Sequence, residues 1–301
     1  MTMTVKFSNE VRDWIAHNLG RGVPASAIVS ELKAHRTEPQ LAHAMVASVA
    51  QALATGAPLP DGKLVLRTRA AEIPTMQDGF VPDADLLPAQ PSIALPDRRI
   101  RMLARLERPR LALLSDVLSA EECRQLMAAA RPRLAASQVV DPTTGKDMAK
   151  PHRSSLGMFF RPRETPLVER IEQRIAVLTG HPAGHGEGLQ ILRYPAGTES
   201  TPHFDYLLPS NEANRESLAR SGQRVATFIL YLNDVPAGGE TVFPQAGWSF
   251  VPRQGHAVYF QYGNQAGQVD PASLHAGAPV REGEKWIATK WIRNRPFVPR
   301  S

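Results

Sequence analysis

Apolar positions near the start of the chain recur at helical spacing. In SNEVRDWIAHNL they fall at Val11, Trp14, Ile15 and Leu19, with Ser8 or Asn9 placed to cap the helix and Gly20 and Gly22 to end it. PASAIVSELKAH carries Ile28, Val29 and Leu32 on one face. EPQLAHAMVASVAQAL carries Leu41, Met45, Val49 and either Ala52 or Leu53. The pattern predicts a small module of three helices over 1–54. From 55 to 107 the periodicity fades. Pro58, Pro60, Pro74, Pro82, Pro88, Pro91 and Pro96 crowd this stretch, which reads as a connector with one short strand at KLVLRTR.

A third regime begins near residue 108. RLALLSDVLSAEECRQLMAAARPRL reads as a strand, a cap at Ser119, then an amphipathic helix with Cys123, Leu126 and Met127 inward. TPLVERIEQRIAVLTG predicts a second helix with Leu167, Ile171, Ile175 and Leu178 as its stripe and Gly180 as its stop. Beyond it the period shortens to two. GLQILRY, TPHFDYL, RVATFILYLND, WSFVPRQG, HAVYFQY, SLHAGAPV and EKWIATKWI read as seven strands separated by turn residues. Helices followed by strands predict an α+β domain over 108–301, with its core at 187–295 and helices packed on one face of a β-sandwich or barrel.

Composition narrows the class. Hydrophobic residues make up 43% and charged residues 21%, as in an ordinary globular chain, and no run approaches the ~18 apolar residues of a membrane span. The opening MTMTVKFSNEVRDW lacks the apolar core of a secretory signal. Cys123 is the only cysteine, so an intrachain disulfide is excluded and a cytoplasmic setting is expected. The formal net charge is +6, and Arg98, Arg99, Arg101, Arg105, Arg108 and Arg110 concentrate part of it. Without interleaved aromatics or a nucleic-acid motif this cluster reads as a solvated face, and neither a nucleic-acid nor a membrane partner is expected.

Candidate chemistry begins at TPHFDYL. His203 and Asp205 are two apart, so on a strand they project from one face. Such a pair by itself equally fits a surface histidine beside a capping aspartate. With one more imidazole it would form the two-histidine, one-carboxylate facial triad that leaves half of an iron's coordination positions open. His256 and His275 are the candidates. His275 lies among small residues, and Lys285 follows ten residues later on a predicted buried strand, where an ammonium needs an anionic partner. His256, beside Gly255, reads as a turn or strand-edge residue.

The segments LSAEEC, RSSLGMFF, LQILRYPAGTESTPHFDY, GQRVATFILYLNDVPAGGETVFP, GHAVYFQY and DPASLHAGAPVREGEKWIATKWIR resemble, in order and spacing, the catalytic domain of the prolyl 4-hydroxylase family of Fe(II)/2-oxoglutarate dioxygenases. The resemblance implies a double-stranded β-helix (jelly-roll) fold. It implies that His203, Asp205 and His275 bind Fe(II) and that Lys285 pairs with the C5 carboxylate of 2-oxoglutarate. Tyr194 would hydrogen-bond that carboxylate, Thr227 would line its pocket, and Trp291 would lie near the iron-side pocket. Arg153 and Ser155 would contact substrate. The co-substrates would be 2-oxoglutarate and O2, with ascorbate as reductant, and the product a hydroxylated C–H bond, in the first instance on peptidyl proline. The retained Asp205 points to hydroxylation, since halogenases of this iron class lack the carboxylate. A free amino acid, a small peptide or a non-proline side chain stays open as substrate, as does a peptide-binding module without turnover, although an intact triad with Lys285 speaks against the last. The helical module over 1–54 lies outside the resemblance and reads equally as a partner contact or a stabilising cap.

Overall fold

A computed structural model of the chain describes residues 2–6, 8–21, 23–35, 37, 39–55, 58–60, 63–67, 80–83, 87–136, 139–140, 147–148 and 155–299. The chain divides into two compact units, Met1–Thr75 and Met76–Ser301.

The first unit contains the three expected helices, Asn9–Gly20, Ala25–Ala34 and Pro39–Thr55. Ser8 caps the first by accepting a hydrogen bond from the Val11 amide. Ile15, Ile28, Val29, Leu32, Met45 and Val49 form its core. Ala52 is buried and Leu53 exposed, so the alternative at the end of the third helix resolves to Ala52. The strand within KLVLRTR, Lys63–Arg67, pairs with Thr2–Lys6, a strand that the sequence pattern did not announce.

The second unit is built on a nine-stranded antiparallel sheet. Its order is Ser92–Ala94, Arg99–Glu107, Arg110–Ser115, Ala257–Gln261, Arg224–Tyr231, Glu284–Arg293, Leu189–Pro195, Leu156–Phe160 and Ala135–Ala136. A four-stranded sheet, Ser200–His203, His275–Gly277, Thr241–Phe243 and Trp248–Phe250, packs against its centre. Residues 92–94 and 99–107 thus belong to the sheet rather than to the expected connector. Their arginines masked the period, because Arg99 and Arg101 project outward around buried Ile100. These side chains are engaged locally: Arg98 with Glu122, Arg101 with Asp116 and Arg105 with Glu107.

Strand alternation sorts the central strands into two faces. Ala226, Phe228 and Leu230, with Trp286, Ala288 and Ile292, face a core completed by the helices Ala120–Ala130 and Pro166–Thr179. Cys123, Leu126, Val168, Ile171, Ile175 and Leu178 are the helices' contribution; Met127 and Leu167 are only partly buried, and Val168 takes the inner place beside Leu167. Ser119 and Glu122 form a capping box, and Gly180 ends the second helix at φ 68°. Buried Arg174 joins the two helices through Glu122 Oε1 at 2.8 Å and the Val117 carbonyl at 2.8 Å. On the opposite face Ile229, Tyr231, Val258, Phe260 and Ile287 meet Phe243 and Phe250 of the smaller sheet. A further helix, Glu212–Ser221, has almost no buried side chains and gave no apolar stripe to read. No helix among the described residues is long and apolar enough to cross a membrane.

Candidate active site

Cross-strand register assembles the site. His203 and His275 are direct partners across antiparallel strands, as are Tyr194 and Lys285, Thr241 and Gly277, and Thr227 and Trp291. The expected shared strand for His203 and Asp205 is corrected: the strand ends at His203, and Asp205 lies in the bend that follows. That bend is held from several sides. The Gln223 amide donates to the Leu207 carbonyl and accepts from its N–H, both at 2.8 Å, while the Arg224 guanidinium donates to the Asp205 carbonyl at 3.3 Å. Phe204 and Tyr206 stack with centroids 4.7 Å apart.

One ligand atom from each of His203, Asp205 and His275 lies within 4.8 Å of the others, the single such cluster among the described residues. His203 Nε2 is 3.7 Å from Asp205 Oδ1, and His275 Nε2 is 3.6 Å from Asp205 Oδ2. Each imidazole turns its Nδ1 to a backbone carbonyl, His203 to Thr201 at 2.8 Å and His275 to Ser273 at 3.0 Å. A proton held on Nδ1 leaves the Nε2 lone pair free for a metal, the arrangement usual for metal-binding histidines. Asp205 is buried, which by itself raises its pKa, but His275, His203, the Thr227 hydroxyl and Arg224 outweigh burial and hold the carboxyl below its ordinary range. The donor set therefore fits a divalent cation with nitrogen and oxygen preference, and His203, half exposed, marks the open side. His256 lies apart, in a shallow depression with Leu103, Trp248 and Arg253.

The triad opens into a cleft of about 540 Å³, counting its mouth, walled by residues of both sheets. Lys285 lines the same cleft. It is 4% exposed and forms no hydrogen bond or ion pair among the described residues. Its Nζ lies 5.8 Å from the ring centroids of both Tyr194 and Tyr231. Burial brings its pKa down to about 8, against a smaller upward pull from Glu240. An ammonium in such a place is matched only when an anion enters. Gly277 lies beside the ammonium: a Cβ there would be 3.7 Å from Lys285 Nζ and 3.3 Å from Ser200 Cβ.

Tyr194 and Trp291 both line the cleft, and the buried Trp291 Nε1 has no partner among the described residues. Thr227 does not line it. It is fully buried behind the cluster of His203, Asp205 and His275, and its hydroxyl donates to Asp205 Oδ2 at 2.6 Å. Ser155 is buried just before the strand Leu156–Phe160 and does not reach the cleft, while Arg153 lies outside the described residues. Sequence reasoning missed Thr241, which lines the cleft and accepts from the Tyr231 hydroxyl at 2.7 Å. It also missed buried Glu187, paired with Arg224 and Arg293 at 2.6 Å each. Arg224 in turn lies 3.9 Å over the Trp291 ring, so one buried carboxylate braces a wall of the cleft. Their arginine and glutamate spacing carried no signal of its own, since the partners are 37 and 106 residues from Glu187.

Residues 189–293, which contain every residue lining the cleft, match the 2OG-Fe(II) oxygenase superfamily. The chain is 45% identical over 202 residues to prolyl 4-hydroxylase 1 of Arabidopsis thaliana, covering 62% of this chain and 70% of that protein. It is 41% identical over 203 residues to the probable prolyl 4-hydroxylase 3 of the same organism, covering 61% and 69%. Among solved structures, the viral collagen prolyl hydroxylase of Paramecium Bursaria Chlorella virus-1, in complex with 2OG, is similar with a TM-score of 0.48 at 26% identity, covering 60% of this chain and 94% of that one. A chain with this extent of identity belongs to the prolyl 4-hydroxylase family and is a 2-oxoglutarate-dependent dioxygenase.

Proposed function

We propose that this enzyme hydroxylates a peptidyl proline at an unactivated C–H bond, with His203, Asp205 and His275 holding Fe(II). The observation that carries the assignment is the pairing, in one cleft, of three convergent ligand atoms with a buried ammonium that has no hydrogen bond or ion pair among the described residues. Fe(II) with 2-oxoglutarate and O2 supplies the oxidising chemistry, releasing succinate and CO2 as the substrate gains a hydroxyl. Lys285 binds the far carboxylate of 2-oxoglutarate as a point charge, which leaves the rest of the molecule to be oriented by the cleft walls. The Tyr194 ring flanks that ammonium, and the Thr241 hydroxyl lines the same end. Ile229 and Ile287 line the cleft between its two ends and keep water from the bound co-substrate. Trp291, backed by Arg224, offers an aromatic face at the cleft for an apolar ring such as proline.

The two packed sheets are the halves of a double-stranded β-helix in this reading, with residues 108–301 as the body of its catalytic domain and the strands at 92–94 and 99–107 extending the same sheet. The module over 1–54 is a partner or substrate contact, ascorbate is the reductant, and the setting is cytoplasmic. The deciding experiment incubates the protein with Fe(II), 2-oxoglutarate, ascorbate and a library of proline-containing peptides, then looks by mass spectrometry for the gain of one oxygen together with succinate. The wild type is expected to give both and Asp205→Ala neither. Full hydroxylation by Asp205→Ala would refute the ligand assignment, and succinate without any oxidised proline would point to another side chain.

A further inference from the structure

The mechanism leaves two buried hydroxyls behind the metal-ligand cluster unexplained. Thr227 donates to Asp205 Oδ2 at 2.6 Å, and the Tyr262 hydroxyl lies 2.9 Å from the same Thr227 oxygen. A carboxylate accepts only, so the single Thr227 proton is committed to Asp205. Tyr262 must then donate to Thr227, and the chain runs in one direction, Tyr262 to Thr227 to Asp205. Both residues are fully buried on the nine-stranded sheet and just beyond it, which closes them off from bulk solvent. The backbone fixes both ends: Thr227 is paired within the sheet, and Tyr262 donates its N–H to the Val225 carbonyl at 2.8 Å.

Only one carboxylate oxygen is restrained in this way. Asp205 Oδ1 accepts no hydrogen bond among the described residues. We propose that Tyr262 and Thr227 are positioning residues that hold Asp205 as a one-oxygen donor, keeping free the coordination position that a two-oxygen grip would fill. The inference rests on the reading of the triad as the Fe(II) site. Three protein donors on one side leave three positions, enough for a chelating 2-oxo acid and O2. A carboxylate free to rotate and bind through both oxygens would take one of them, so metal could still be held while the co-substrate is excluded. The same Tyr-to-Thr pairing recurs at the far end of the cleft, where Tyr231 donates to Thr241 at 2.7 Å. There Thr241 meets no carboxylate among the described residues, and it lines the cleft in which the co-substrate carboxylate is proposed to lie.

The test measures two affinities on the full chain without oxygen: Fe(II) for the apo protein, and 2-oxoglutarate for the Fe(II)-loaded protein, both by calorimetry. Thr227→Val is expected to keep Fe(II) affinity within about threefold while weakening 2-oxoglutarate by tenfold or more. Tyr262→Phe should move in the same direction by less, the double variant should be no worse than Thr227→Val alone, and Thr227→Ser should restore the wild-type value. Unchanged 2-oxoglutarate binding in Thr227→Val overturns the proposal, as does a parallel loss of both affinities, which a merely structural threonine would produce. If Thr227→Val does not fold, Tyr262→Phe decides by the same two criteria. A wild type that binds no Fe(II) would instead refute the metal site itself, a separate failure.

Discussion

Two lysines five residues apart on the strand Glu284–Arg293 show how one strand serves two purposes. Lys290 points to the helix-covered face and Lys285 to the cleft. Both are nearly inaccessible, at 2% and 4% exposure. Lys290 is closed off: it donates to Glu172 of the helix Pro166–Thr179 at 2.5 Å and to the Glu187 carbonyl. Lys285 has no such partner among the described residues. Burial is the same, so burial alone does not mark a site. The marker is a charge whose valence the fold leaves open, and each face can be broken in its own way.

The largest contrast is expected from removing each ammonium. Lys290→Met strands Glu172, 4% exposed, without its cation, although the Arg163 amide still donates to it at 2.9 Å. A loss of about 3 kcal/mol of stability is expected, with 2-oxoglutarate binding in the folded fraction near wild type. Lys285→Met removes a charge that the folded apo protein holds at a cost. The fall from 10.5 to about 8 corresponds to roughly 3 kcal/mol, so this variant should be as stable as wild type or more so. Its 2-oxoglutarate affinity should drop at least thirtyfold, from the ~2 kcal/mol or more that a truncated buried ion pair loses. Urea denaturation and calorimetry on both variants check the two effects, and equal destabilisation by the two substitutions would erase the distinction.

The difference between the faces was only partly legible in the sequence. RVATFILY reads as one apolar run because both sides of the strand are covered, so parity alone does not say which side is the cleft. His203 and Asp205 were readable from their spacing, although the strand stops between them. His275 is 72 residues from His203, and only the strand register, or a family resemblance, brings them together. Thr227 was assigned to the co-substrate pocket because residue type does not reveal hydrogen-bond direction; the fold commits it to Asp205. Thr241 was hidden in GGETVF, where paired glycines signal a turn and draw attention from the strand that follows. The strand Arg99–Glu107 was lost to its arginines, and the helix Glu212–Ser221 to its lack of an apolar face.

A smaller effect follows from the open valence of Lys285 through pH. Its pKa of about 8 in the apo protein means that the ammonium is present below that value and is lost above it. On the proposed pairing the co-substrate carboxylate binds the protonated form, so affinity for 2-oxoglutarate should be level below pH 8 and weaken by up to about tenfold per unit above it. For stability the sign is opposite. The unfolded chain holds this proton up to about 10.5, so between pH 8 and 10.5 the unfolded state binds more protons and the apo protein gains stability from this group as pH rises. Lys285→Met should lose the pH dependence of 2-oxoglutarate affinity and Lys290→Met should keep it, while each variant loses its own share of the rise in stability, since burial also lowers the Lys290 pKa; pH-resolved calorimetry and denaturation would register both.

The finest separation of the two faces lies in the glycines that cover each lysine. A Cβ at Gly186 would come 2.2 Å from Lys290 Cε and 2.9 Å from its Nζ, and that side chain is held by Glu172 and the Glu187 carbonyl and cannot swing away. Gly186→Ala should therefore cost about 1–3 kcal/mol through overpacking and leave co-substrate binding unaffected. A Cβ at Gly277 meets only ordinary or slightly tight contacts, 3.3 Å to Ser200 Cβ and 3.7 Å to Lys285 Nζ, on a backbone without a left-handed φ. Gly277→Ala should change stability by less than about 1 kcal/mol, while the added methyl beside the ammonium raises the 2-oxoglutarate Kd several-fold. Thermal melts and ligand titrations on both variants distinguish the outcomes. A Gly277→Ala protein that melts early but binds 2-oxoglutarate normally would mean that the space beside Lys285 is packing space, like that beside Lys290, and not part of the cleft's working volume.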